Sequence, residues 1–277
     1  MPNSHRRHLT LVSSLNHLEQ PFKFTSQTLS IDVYDSDAAA LPIDLAEVRQ
    51  VFRTVFETDR LCGWRSVLGQ KIPLRIGLTG DSFVWADSTY GVTRELLRIL
   101  NSYDYPAIIV TRSDLVAQEE YLSLLCAGRY SVQMPISGNH RRMNRLMEPG
   151  APGYWRRVAA LKKLAGAGIA SSVRIDPLFP VYPDGYYSSG DTSARQIPKL
   201  PIYDENFIPE LAEAKVQDVF ARFARLPSSV ILAISQATGM DFSNFYQAET
   251  KYQVGEMEHY YQIFKASCAA NGIRFDR

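Results

Sequence analysis

The feature that most constrains this chain is the repeated alternation of short apolar runs, rich in β-branched residues, with longer segments of helical periodicity. The runs are "PLRIGLT" at 73–79, "PAIIVTR" at 106–112, "RYSVQMPI" at 129–136, "IASSVRIDP" at 169–177 and "SSVILAIS" at 228–235. Helical patterns lie at "YGVTRELLRILNSY", "SDLVAQEEYLSLLCA", "GYWRRVAALKKLAGAG" and "IPELAEAKVQDVFARFARL". A strand that leads into a helix must return over the sheet before the next parallel strand begins, so this order predicts βαβ units and a parallel α/β sheet.

An earlier strand is read at "QTLSIDVYD" and a helix at "DLAEVRQVFRTVFETD". The chain then divides into a weakly patterned segment over 1–40, an α/β core over 41–235 and a helical segment over 236–277. Within the core, residues 181–207 form a Tyr-, Pro-, Ser- and Gly-rich stretch too long for a routine connection. Its tyrosines can stack on a base or sugar, or fold over one another at the surface. In the helix at 152–166, Trp155, Val158, Ala159, Leu161 and Leu164 form the expected apolar face. Arg156, Arg157, Lys162 and Lys163 then fall largely elsewhere.

Composition narrows the function classes. At 277 residues, 45% hydrophobic and 21% charged, the chain suits one large α/β domain or two small ones. No apolar run approaches the roughly 20 residues that span a bilayer, and the N-terminus lacks a secretory core and cleavage site. A cytoplasmic protein with no membrane partner is expected. The formal net charge of +1 excludes a globally basic nucleic-acid surface. A local one is available at Arg141, Arg142 and Arg145 beside His140, where the bland alternative is a solvated helix face.

Parallel βα units bind ligands at the carboxyl ends of their strands. Polar groups stand at four successive predicted strand ends: Thr79 and Asp81, Thr111 and Arg112, Ser137 and Asn139, Arg174 and Asp176. They are expected to converge on one mouth, although each residue alone is equally readable as a cap for the next helix. No GxSxG, HExxH, P-loop or GxGxxG motif occurs. Cys62, Cys126 and Cys268 are too scattered for a disulfide framework, and the histidines lack metal-ligand spacing. Cys126, on an apolar helix face, reads as a buried thiol. No residue is assigned as catalytic or metal-ligating.

Taken in order, "LRIGLTGDSF", "YGVTRELLRIL", "PAIIVTRSDLV", "SVQMPIS", "RLMEPGAP" and "RRVAALKKLAGAGIASSVRIDPLFP" resemble the core of the radical SAM proteins related to spore photoproduct lyase. The resemblance covers residues 70–180 or so. It implies a partial (β/α) barrel of radical SAM type in which S-adenosylmethionine lies across the strand ends on the unique iron of a four-iron four-sulfur cluster. Reductive cleavage of that cofactor would give a 5′-deoxyadenosyl radical acting on a substrate, with a nucleic-acid base as the expected class.

Carried over by position, Arg112 stands where the group has a lysine that pairs with the methionyl carboxylate, a task its guanidinium can perform bidentately. Ser137 is the candidate for the amino-acid portion or the ribose, and Arg174 and Asp176 are expected in the same mouth. Thr79 and Asp81 would supply hydrogen bonds, with Phe83 or Trp85 closing the pocket. On that reading Asp81→Ala weakens cofactor binding and leaves Tm nearly unchanged. Glu148 of "EPG" is expected to fix the turn before the next helix.

Two departures accompany the resemblance. Leu78 stands where spore photoproduct lyase has the cysteine that returns hydrogen to the product radical, and no CxxxCxxC occurs in the chain. The cluster needs three thiolates on one tight loop. The preferred expectation is an incomplete polypeptide that lacks its first βα unit, a radical SAM enzyme if a longer product supplies the cysteine loop. The alternative is a clusterless barrel that binds a nucleotide, a nucleic acid or a protein partner without radical chemistry. A third reading, a barrel lyase or hydrolase with Asp81 and Asp176 as acid and base, needs neither iron nor S-adenosylmethionine.

Overall fold

A computed structural model describes residues 22–25, 28–34, 42–141, 144–145, 148–178, 203–223 and 254–276, with a few short pieces between 229 and 252. The chain forms two compact units, Met1–Gln133 with Ala167–Ile169, and Met134–Gly166 with Ala170–Arg277.

In the first unit, β1 (Lys23–Thr25) pairs antiparallel with β2 (Thr28–Ile31). Strands β3 (Leu74–Ile76), β4 (Ala107–Val110) and β5 (Tyr130–Pro135) then add in parallel, with Ile76 beside Ile109 and Ile109 beside Val132. The connections carry α1 (Leu45–Phe56), α2 (Arg65–Leu68), α3 (Asp87–Tyr90), α4 (Val92–Ser102) and α5 (Glu119–Cys126). Helix α1 starts where the Asp44 carboxylate accepts from Ala46 N–H at 2.8 Å. Its stripe of Val48, Val51, Phe52 and Val55 is buried at helical spacing. The Phe52 ring meets Tyr105 edge-on at 5.3 Å.

A buried carboxylate knits this unit together. Asp87, with no solvent exposure, accepts from the Tyr34 and Tyr121 hydroxyls at 2.5 Å each and from Thr93 N–H at 2.7 Å. A buried charge is tolerable when its lone pairs are occupied in this way. Burial next to that carboxylate pushes both tyrosine hydroxyls well above their ordinary pKa.

The second unit holds β6 (Ala170–Leu178), β7 (Asp218–Phe223) and, after the two-residue antiparallel pair β8 (Tyr246–Gln247) and β9 (Lys251–Tyr252), β10 (Arg274–Asp276). Strand β7 lies between β6 and β10, parallel to both. Its helices are α6 (Tyr154–Gly166), α7 (Phe207–Glu213) and α8 (Val254–Ala270). Among the described residues seven strands are therefore parallel, β2 to β7 and β10. The α/β class and the four strands expected between 73 and 177 stand as read.

Several expectations are corrected. The helix read over 208–226 ends at Glu213, and its second half is β7. The run at 228–235 has helical backbone at Ser229, Leu232 and Ala233, with Leu232 exposed, so it is no core strand. Short apolar runs fit a helix or a strand equally by pattern, and β7 already supplies the strand that follows α7. The segment read as helical over 236–277 contains α8 but ends in the parallel strand β10. In α6 the buried face is Tyr154, Arg157, Val158, Ala160, Leu161 and Leu164, while Trp155 is 65% exposed. The face is rotated from the one expected because Arg157 has an internal partner. Residues 179–202, most of the long Tyr- and Pro-rich stretch, lie outside the described residues, as do residues 1–21.

Among the described residues no helix is long and apolar enough to cross a membrane.

Candidate functional site

In the first unit, two aspartates tie three successive strand ends together. Asp32 follows β2, and its carboxylate accepts from Thr79 N–H at 3.0 Å, from Gly80 N–H at 3.3 Å and from the Thr79 hydroxyl. Lys23 adds an ion pair at 3.3 Å. Desolvation pushes the Asp32 carboxyl up, but the bonds from Thr79 and Gly80 together with Lys23 outweigh it and hold the pKa below the ordinary value. Asp81 performs the same task one strand further on. It accepts from Phe83 N–H at 2.9 Å, from the Thr111 hydroxyl at 2.7 Å and from Arg112 N–H at 2.8 Å.

The turn after β3 can come this close because of Gly77. Its φ is +81°, and a Cβ there would stand 2.5 Å from the Val110 carbonyl oxygen. Only glycine fits both demands. Beyond the turn, Phe83 is buried with its ring 5.0 Å from that of Tyr121, whereas Trp85 is 78% exposed. Phe83 is thus part of the core, and Leu78 is partly exposed. Ser113 N–H donates to the Thr111 hydroxyl, and the Ser113 hydroxyl accepts from Leu115 N–H, capping the 3-10 turn Asp114–Ala117.

In the second unit, the segment leaving β5 lies beside β6, since Ile136 N–H donates to the Arg174 carbonyl at 2.9 Å. Ser137 follows directly. It is 1% exposed, and its hydroxyl has no hydrogen-bond partner among the described residues. Arg174 and Asp176, two residues apart on β6, form an ion pair at 2.9 Å. The Asn139 side-chain amide donates to the Asp204 carboxylate at 2.6 Å and accepts from Asp204 N–H at 3.1 Å.

Fully buried Arg157 of α6 anchors this end. It donates to the Pro135 carbonyl at 2.8 Å and pairs with Glu148 at 2.6 Å. The expectation that Glu148 fixes the turn before the helix therefore has a concrete basis. Of the basic cluster, Arg141 and Arg145 are exposed.

Of the six residues read as cofactor-binding, the structure joins Asp81 to the backbone of Arg112, Thr79 to Asp32, and Arg174 to Asp176. Arg112 is exposed and Ser137 is buried. The sequence reading missed Asp32 and the Arg157–Glu148 pair. A polar residue directly after an apolar strand, as in "SIDV", is the available signal for the first. An arginine at a helix position three residues after Tyr154 carries no signal of burial.

The cysteines stand apart. Cys62 is half-buried, Cys126 is exposed with its thiol 3.6 Å from the Ala167 carbonyl, and Cys268 is buried. The buried reading of Cys126 is thereby corrected: the thiol lies at the edge of the apolar face of α5, whose buried residues are Tyr121 and Leu125. Burial pushes the Cys268 thiol up to about 12. Among the described residues no group of three His, Cys, Asp or Glu side chains could hold a metal ion.

Comparison with solved structures matches this architecture to an enzyme whose group the motifs resemble. A spore photoproduct lyase complexed with dinucleoside spore photoproduct superimposes with a TM-score of 0.54 and 16% identity, over 85% of this chain and 67% of that one. The chain has the spore photoproduct lyase fold. A substituted form of the lyase, with bound AdoMet and dinucleoside spore photoproduct, gives a TM-score of 0.55 at 16% identity over the same shares of the two chains. The α/β fold expected from the sequence is in accord with that match. No protein-family pattern and no curated protein sequence matches the chain.

Proposed function

We propose that this chain binds S-adenosylmethionine. The observation that carries the reading is Ser137: a fully buried hydroxyl without a partner among the described residues, at the C-terminal end of a parallel strand, in a fold of which one solved member has AdoMet bound. An unpaired buried hydroxyl costs roughly 1–3 kcal/mol, a cost that a ligand oxygen or nitrogen removes on binding. Ser137 would take the ribose or the amino-acid portion, and on the resemblance alone Arg112 is assigned the methionyl carboxylate. Thr79 and Asp81 serve as positioning residues, since their carboxylate and hydroxyl bonds hold the loop that bears on Arg112. Arg174 and Asp176 present a neutral pair at the neighbouring strand end.

The cluster that accompanies this cofactor in radical SAM proteins requires three thiolates on one loop. Cys62, Cys126 and Cys268 are one half-buried, one exposed and one buried, and they are far apart in sequence. The residues present do not fit the cluster, and no radical step is routed through them. The reading is of a cofactor-binding barrel, with nucleotide binding free of radical chemistry as its second form. That form is favoured by the same missing cysteine triad.

Calorimetric titration of the purified chain with S-adenosylmethionine, without iron, tests the reading. Saturable binding that Arg112→Ala abolishes and Ser137→Ala weakens is the expected result. No heat at millimolar ligand overturns it. Equal affinity for adenosine, with no effect of Arg112→Ala, selects the plain nucleotide-binding form.

A further inference from the structure

The segment that follows Ser137 carries a second set of unpartnered polar atoms. Asn144 N–H donates to the His140 carbonyl at 2.9 Å, and Glu148 N–H donates to the Asn144 carbonyl at 2.8 Å. His140, Asn144 and Glu148 therefore recur at the spacing that puts side chains on one helical face. Arg141 and Arg145 lie exposed between them. The recurring face is turned inward, with Asn144 4% and Glu148 6% exposed.

Glu148 has its partner in Arg157. Asn144 has none among the described residues: neither its Oδ1 nor its Nδ2 is hydrogen-bonded there, and the buried Nδ1 of His140 is likewise without a partner among them. An amide can donate and accept in one plane, so whichever way it is oriented both functions go unused. A buried, unpaired polar group destabilises the fold, and native chains leave few of them. Three such atoms, unpartnered among the described residues, gather on one helical face.

We propose that Asn144 and His140 form a recognition site for an uncharged small molecule with a planar amide edge, an N–H beside a carbonyl. A heterocyclic lactam and a carboxamide both offer that edge. The Asn144 carbonyl accepts the ligand N–H while its amino group donates to the ligand carbonyl, a bidentate match of the kind asparagine makes with base edges. His140 Nδ1 supplies one further contact. A charged ligand is disfavoured because the one charge on this face, Glu148, is already neutralised by Arg157 at 2.6 Å. The site uses neither Arg112 nor Ser137 and goes beyond the S-adenosylmethionine reading.

The full chain is titrated separately with uridine, a lactam on a nucleoside, and with nicotinamide, a simple carboxamide. Each titration is repeated with Asn144→Leu and with His140→Phe, and the melting temperatures of the ligand-free proteins are recorded. The expected result is saturable binding of one of the two probes, weakened at least about tenfold by Asn144→Leu. The ligand-free Asn144→Leu protein melts at the same temperature or higher, because an unpaired amide has been removed. If uridine is the binder, 3-methyluridine, which lacks the N–H, binds at least about tenfold more weakly.

A lower melting temperature for Asn144→Leu, or a failure to fold, means the amide is bonded within the protein and overturns the proposal. Absence of saturable binding of either probe up to about 10 mM overturns it as well. So does binding that Asn144→Leu and His140→Phe both leave unchanged. A parallel titration with S-adenosylmethionine reports on Arg112 and Ser137 independently, so either site can fail while the other stands.

Discussion

The Thr111 hydroxyl donates to the Asp81 carboxylate at 2.7 Å, joining the turn after β3 to the end of β4. Asp81 also receives Phe83 N–H and Arg112 N–H, so one side chain serves three donors. Asp81→Ala strands all three, and the expected loss is about 2 kcal/mol. Thermal denaturation should show a clear fall in Tm, with Asp81→Asn intermediate because it keeps one acceptor oxygen. This is the reverse of what a pure ligand contact would give. An unchanged Tm with lost S-adenosylmethionine binding would return Asp81 to that role.

Asp32 makes the same kind of clip pH-dependent. Its folded-state pKa lies below the ordinary carboxylate value of 3.8, because the bonds from Thr79 and Gly80 and the charge of Lys23 require the ionised form. A carboxyl with a depressed folded pKa contributes stability that is fully present above the unfolded value and lost as pH falls through the folded one. Wild type should therefore exceed Asp32→Asn in Tm at pH 6, and the two curves should converge as the pH falls below the ordinary carboxylate value and through the lower folded one. A constant gap down to acid pH would show that the carboxylate charge is not what holds the turn.

Arg157 and Glu148 form a buried pair at 2.6 Å, and Arg157 also donates to the Pro135 carbonyl. Removing one partner leaves the other as an uncompensated buried charge, so Arg157→Met alone should cost about 3–5 kcal/mol. Replacing both by methionine removes the charge together with its counter-charge. The double variant is expected to be more stable than Arg157→Met, a difference readable in urea denaturation. If it is the less stable, the bond to Pro135 outweighs the ion pair.

The strands at 73–79, 106–112, 129–136 and 169–177 were legible because each is short, β-branched and bounded by turn residues, and periodicity alone separates them from α1, α4 and α6. The polar strand ends were legible as positions but not as partners. That Asp81 reaches Thr111, and Asp32 reaches Thr79, depends on chain segments about 30 and 47 residues apart, which no local pattern encodes. Burial of Arg157 was equally invisible, since its acceptors, Pro135 and Glu148, lie outside its own helix. Asn144 had no signal at all. Helix ends split into two kinds. Helix α8 stops at Gly272, with Ile273 N–H donating to the Cys268 carbonyl and Gly272 N–H to the Ala269 carbonyl, and the glycine advertises the stop. Helix α7 stops by the same pair of bonds without any glycine.

That second stop yields the last prediction. Val216 N–H donates to the Leu211 carbonyl at 3.1 Å and Lys215 N–H to the Ala212 carbonyl at 2.9 Å, the two bonds of a Schellman cap with Lys215 in the left-handed position at φ +61°. A side chain there carries a steric cost of roughly 1–2 kcal/mol that glycine lacks. Glycine in turn frees the unfolded chain, at a cost of roughly 0.5–1 kcal/mol. Lys215→Gly should therefore stabilise the protein by up to about 1 kcal/mol in urea denaturation. Lys215→Ala keeps the Cβ and should change stability by less than about 0.5 kcal/mol, since the lysine is exposed. Lys215→Val should destabilise, because a β-branched residue tolerates positive φ least. If all three variants unfold at the same urea concentration, the strain at Lys215 does not limit stability, and the break between α7 and β7 is set instead by the strand, whose Val219 and Ala221 are buried.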